Sequence, residues 1–153
     1  VKHVSVRRWL VGAALATLVT GAAYADASTL YARLGGEPPV TAIASELIDR
    51  TATDPRTERS FRDSNLKRIK THLAAQLCEL TGGGCRYEGD PMREVHAGFD
   101  ITDAELYAMV EILEDVMRAR NVALADRNAV LALLAPMKRD VVRVVPPARG
   151  AAR

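Results

Sequence analysis

Two histidines and two cysteines hold most of the coordination chemistry open to this 153-residue chain. His96 stands in "MREVHAGFDIT", between a charged approach and a glycine, and His72 stands in "NLKRIKTHLAAQLCEL". A neutral imidazole is the commonest side-chain metal ligand, yet a lone histidine is more often a packed or solvated side chain. Spacing alone therefore favours an ordinary structural role for His96. Cys78 and Cys85 are the only cysteines, and the run Gly82-Gly83-Gly84 between them lets the chain fold back far enough to join the sulfurs. A zinc site using both cysteines with His72 and His96 is the rival reading. It lacks the close C-x-x-C pairs that make zinc signals specific.

Elsewhere there is no nucleophile elbow, no phosphate-cradling glycine loop and no paired-carboxylate site. Chemistry on this chain must then come from a cofactor. Helices with few aromatics, an irregular segment ahead of His96 and an apolar helix opposite suggest a slot for a flat apolar ligand, with His96 ligating its metal from one side.

The elements that position these groups begin after a leader. Residues 1–25, "VKHVSVRRWLVGAALATLVTGAAYA", combine a basic start (Lys2, Arg7, Arg8), an apolar stretch from Trp9 to Ala22 and an A-x-A end at Ala23-Tyr24-Ala25. This is the pattern of a secretory signal peptide, and it implies an exported, periplasmic protein. The apolar stretch is short for a membrane span, so membrane association is expected only if the leader stays uncleaved. Three of the 21 basic residues and none of the 19 acidic ones lie in it, leaving 18 positive against 19 negative charges. A nearly neutral chain of this size gives no electrostatic reason to expect nucleic acid as a partner and suits one domain with one core. Export also favours the disulfide reading of Cys78 and Cys85.

Beyond the leader no stretch alternates apolar and polar residues as a strand would, whereas several repeat at helical spacing, so the fold is expected to be all-α. Ser28 or Thr29 caps a short helix, "LYARL", ended by Gly35-Gly36. A second helix starts near Pro39, turns Val40, Ile43, Leu47 and Ile48 inward, and breaks at Asp54-Pro55. After a turn containing Phe61, a third helix carries Leu66, Ile69, Leu73, Leu77 and Leu80 on one stripe. The irregular "TGGGCRYEGDP" leads to a brief helix with Met92, Val95 and His96, stopped by Gly98. Thr102 and Glu105 form a capping box for the next helix, with Leu106, Met109, Val110, Leu113, Val116 and Met117 recurring along it. A last helix is expected from about residue 125 to 144, with Val130, Leu133, Leu134, Met137 and Val141 inward and a kink at Pro136, before a disordered tail over 146–153.

Four segments, "LYARLGGEPPV", "DPRTERSF", "YEGDPMREVHAGFDIT" and "LLAPMKRDVV", together resemble the bacterial truncated hemoglobins of group I. The resemblance spans residues 29 to about 142 and places a truncated globin domain at 26–145. It implies a two-over-two helical sandwich, with residues 81–90 as the extended segment before the proximal histidine, and a heme b cofactor whose iron is ligated by His96. By the same resemblance Phe61 wedges against the heme face, Tyr87 and Met92 line its edge, and Ile69, Leu73 and Leu77 form the distal wall facing Val110, Leu113 and Leu133. Many members carry a tyrosine and a glutamine that hydrogen-bond bound oxygen. Those places hold Ile48 and Leu73 here, which removes roughly one to a few kcal/mol of stabilisation per missing bond. His72 flanks the apolar stripe one position off it, and is expected at a heme propionate or in solvent, with iron ligation the alternative. The implied function is reversible binding of diatomic gases such as oxygen, carbon monoxide or nitric oxide. The alternative is a nitric oxide dioxygenase or peroxidase, which needs a reductase partner.

Overall fold

A computed structural model of the chain describes residues 29–143. The signal segment expected at 1–25 and the tail expected at 146–153 lie outside the described residues. Within them every regular element is helical: α1 (Leu30–Arg33), α2 (Glu37–Thr51), α3 (Leu66–Leu80), α4 (Met92–Val95), α5 (Asp103–Ala119), α6 (Leu124–Leu134) and α7 (Lys138–Val141), with 3-10 turns at Glu58–Ser60 and Ala135–Met137. None of the described helices is long and apolar enough to cross a membrane.

Local chemistry accounts for the boundaries. Thr29 caps α1, its hydroxyl accepting from the Ala32 amide at 3.2 Å. The second helix begins at Glu37, two residues before the expected start at Pro39, because Pro38 and Pro39 fit a first turn whose N–H groups have no helical acceptor. Asn65 caps α3 by accepting from the Arg68 amide at 3.0 Å. Thr102 and Glu105 make the expected capping box at α5. Pro136 breaks the last helix as expected, but the chain takes a 3-10 turn there and resumes only as far as Val141, short of residue 144.

Helix α2 packs against both α3 and α5, and α5 against α6, so two helix pairs enclose one core. Its centre is Val40, Ile43, Leu47, Val116 and Met117, each at most 2 % exposed. The last helix turns Val130 into this core, but Leu133, expected inward, is 37 % exposed. It sits three residues on from Val130, at the end of α6 where the Pro136 break begins.

Cys78, buried on α3, forms a disulfide with Cys85, with Cα atoms 5.7 Å apart. The bond ties the end of α3 to the segment running to α4, and it leaves neither sulfur for the zinc reading. No group of three or more metal-binding His, Cys, Asp or Glu side chains occurs among the described residues. Gly83 sits so close to this bond that a Cβ there would lie 2.5 Å from Cys78 Sγ and 2.8 Å from the Tyr31 ring. The adjoining Thr81 carbonyl accepts from the Tyr31 amide at 2.9 Å, so α1 is anchored at the same point.

Candidate functional site

The stripe along α3 changes character halfway. Leu77 and Cys78 are buried, whereas Ile69 and Leu73 are only half-buried, because their side of the helix borders a cavity of about 520 Å³. That volume falls inside the roughly 300–1,000 Å³ typical of cofactor sites. The cavity lies between α3, the turn holding Phe61, the segment from Tyr87 to Ile101, the start of α5 and Val141 of α7.

His96 lines it from the end of α4. One turn of helix, opened at Pro91, brings the His96 ring back over its own first residue, and Nδ1 donates to the Met92 carbonyl oxygen at 2.8 Å. A carbonyl can only accept, so the proton resides on Nδ1 and the Nε2 lone pair is left available. That is the tautomer a metal-ligating imidazole requires, oriented as such ligands are by a backbone acceptor on the other nitrogen.

Opposite, Ile69, His72 and Leu73 of α3 form one wall, joined by Ile48 of α2, which is 1 % exposed overall. His72 stands on this wall and is half-buried. Its Nε2 accepts from Arg68 Nε at 3.4 Å, and its ring meets the Tyr87 ring edge-on at 6.0 Å. Tyr87 donates from its hydroxyl to the Asp90 carbonyl at 3.0 Å, and burial, with the Asp90 charge, pushes its phenol up. Phe61 and Met92 complete the expected residues on the cavity.

Four expected residues stand elsewhere. Leu77 and Leu113 belong to the core, Val110 is half-buried away from the cavity, and Leu133 is exposed at the surface. The α5 wall is instead Leu106 and Met109, one turn earlier, because α2 covers the later part of the helix. Periodicity put each of these on the apolar stripe of its own helix and could not say where along it the cavity ends. Val95, Phe99, Ile101 and Val141 also line the cavity, as does Gln76, a buried polar residue one helical turn after His72.

Glu105 closes one end. Burial by itself raises its carboxyl, but hydrogen bonds from Arg59 (2.6 Å) and from the Thr102 amide and hydroxyl (2.9 and 2.7 Å) outweigh that and hold it below the usual range. Arg59 also donates to the Phe99 and Asp100 carbonyls at 3.1 and 3.0 Å, fixing the chain that follows His96. The lining as a whole is an apolar slot with one available imidazole nitrogen on its floor and a second histidine on its roof. These features fit a flat apolar metal macrocycle such as heme.

A family model described as "Bacterial-like globin" matches residues 29–143. The chain is 32% identical over 115 residues to a group 1 truncated hemoglobin of Nostoc sp. (strain MUN 8820), an alignment covering 75% of this chain and 98% of that protein. Its fold is similar to that of the truncated hemoglobin of Tetrahymena pyriformis in its Fe(III) form, with TM-score 0.71, 24% identity and coverage of 74% of this chain and 97% of the other. A 2/2 hemoglobin of Synechococcus sp., solved in the cyanomet state with covalently attached heme, is similar with TM-score 0.70 and 24% identity, over 75% and 98% of the two chains. With the all-helical fold, the cavity and these matches together, the chain belongs to the bacterial-like globins, among the group 1 truncated hemoglobins.

Proposed function

We propose that this chain holds heme b in the cavity through His96 and there binds diatomic gases reversibly. The observation that carries the reading is the 2.8 Å contact from His96 Nδ1 to the Met92 carbonyl, which in the neutral ring leaves the Nε2 lone pair available on an apolar cavity of cofactor size. Heme would be held through His96 and would supply the iron at which a gas binds. The chain's own part is to exclude water with Phe61, Ile69 and Leu73, to fix the imidazole tautomer, and to set the polarity of the ligand side.

That side is apolar where Ile48 and Leu73 stand, which favours carriage or sensing over turnover. Ligands that need little polar help, carbon monoxide foremost, suit it best. A nitric oxide dioxygenase or peroxidase is the second reading, and it requires an electron-donating partner as well as a hydrogen-bond donor at the iron. Steady consumption of nitric oxide with an electron donor separates it from simple binding. Export to the periplasm is part of the proposal, supported by the leader-like residues 1–25 and by the Cys78–Cys85 bond, since disulfides persist in oxidising compartments.

Absorption spectra of the ferric, ferrous and carbonmonoxy forms test the assignment, compared between the wild type and His96→Gly. The variant is expected to lose stable heme retention and to regain it with added imidazole. Full retention with an unchanged ferrous carbonyl spectrum would overturn the role of His96.

A further inference from the structure

Gln76 is an unusual wall residue. It is only 9 % exposed, and its amide nitrogen donates to two thioether sulfurs, Met92 Sδ at 3.3 Å and Met137 Sδ at 3.6 Å. Thioether sulfur is a weak acceptor, so a buried primary amide is poorly served by these partners. The arrangement draws on three separate parts of the chain: α3 supplies the amide, α4 one sulfur, and the 3-10 turn at Pro136 the other. It also accounts for two of the four methionines in the sequence. Of the remaining two, Met117 is fully buried, whereas Met109 is half-buried and lines the same cavity.

We propose that Met92 and Met137 form a paired oxidation site, organised by Gln76, at which hydrogen peroxide converts thioether to sulfoxide. In the step a sulfur lone pair attacks one peroxide oxygen, the S–O bond forms as the O–O bond breaks, and the leaving oxygen departs with both protons as water. Sulfur loses two electrons and the peroxide gains them. The new oxygen carries substantial negative charge, and the Gln76 N–H groups already point at the sulfur on which it appears. As the S–O bond forms, an N–H can pass from the sulfur to the new oxygen, and the product replaces a weak acceptor by a strong one. Both sulfurs belong to half-buried side chains and are more open to a small oxidant than Met117.

Oxidation at Met92 reports directly to the floor of the cavity, because the carbonyl of that same residue holds the His96 ring. A sulfoxide pulled toward Gln76 adds a polar oxygen beside the slot and shifts the residue that orients the imidazole. The change is reversible, since enzymes that use a dithiol as reductant return methionine sulfoxide to the thioether.

The full chain as purified, treated with hydrogen peroxide in the presence of a chelator that suppresses free-iron radicals, is sampled over time and read by peptide mass spectrometry. Met92 and Met137 are expected to gain one oxygen about fivefold or more faster than Met109, with Met117 slowest. Gln76→Leu keeps the volume and removes the donors, and is expected to bring Met92 and Met137 down to the Met109 rate. Gln76→Glu keeps the shape without the N–H groups and repeats the comparison if the leucine chain folds poorly. Oxidation of Met109 as fast as Met92 in the wild type, or an order of rates unchanged in both variants, would overturn the proposal.

Discussion

Arg59 Nη2 lies 2.6 Å from Glu105 Oε2, and this one pair joins the turn after α2 to the first turn of α5. The same guanidinium holds the Phe99 and Asp100 carbonyls, and the same carboxylate caps α5. Glu105 is 8 % exposed, whereas half of the Arg59 side chain reaches solvent. Replacing Glu105 by Ala leaves several donors without a partner, and a loss of roughly 1–3 kcal/mol in urea unfolding is expected, at the lower end of buried-pair values because solvent screens the arginine. The sign with pH follows from the lowered carboxyl. Its contribution is complete above the ordinary carboxylate value of 4.5 and is lost as pH falls through the lower folded value. Urea midpoints of wild type and Glu105→Ala should therefore converge in acid, and a constant gap between pH 7 and pH 3 would refute this.

The Cys78–Cys85 bond closes a loop of eight residues, and chain entropy assigns such a closure roughly 2–3 kcal/mol of stability. The double variant Cys78→Ser, Cys85→Ser is expected to unfold at correspondingly lower urea, and wild type treated with a reducing agent should match it. Two alkylatable thiols in protein secreted to the periplasm would contradict the bond.

His72 is held on the cavity wall by a 3.4 Å contact from Arg68, whose own side chain is 69% exposed, and by the edge of the Tyr87 ring. So weak a restraint leaves the Nε2 lone pair free to compete for heme iron. Removing it in His72→Leu is expected to convert a low-spin spectrum to a high-spin one and to speed carbon monoxide binding, because external ligands no longer wait for the imidazole to leave. Identical spectra and rates would place the imidazole off the iron.

Ile48 lines the cavity from a position that is 1 % exposed, so a hydroxyl introduced there has little water to bond with. Ile48→Tyr is expected to slow oxygen dissociation about 10- to 100-fold, as one hydrogen bond to a charged acceptor would. Carbon monoxide dissociation should change far less. Ile48→Phe controls for bulk, and a similar slowing in that variant would remove the hydrogen bond as the cause.

How far the site could be read beforehand differed along the chain for physical reasons. The helices around Leu47 and Val116 were legible because burial there follows a strict 3.6-residue period, and the Thr102–Glu105 capping box has a local signature. Phe61, Ile69, Leu73, Tyr87 and Met92 were found through their surrounding motifs. Leu113 and Val110 were placed one turn too far along α5, since a periodic stripe records which face is apolar and not which neighbour covers it. Leu133 was lost to the break at Pro136. Gln76 and Arg59 went unread because their importance lies in partners 16 to 61 and 40 to 46 residues away, which no local pattern encodes.

The glycines beside the disulfide impose constraints of different kinds, and chirality separates them. At Gly83 the obstacle is space, a sulfur and an aromatic ring occupying the volume of any side chain. At Gly84 the surroundings are open and the obstacle is handedness, with φ at +76°. An L side chain at position 84 would be strained by its backbone conformation alone, whereas at position 83 it would collide with its neighbours. The loop is thus a mould at one residue and a hinge of fixed hand at the next, and its tolerance to change is set twice over by two unrelated rules.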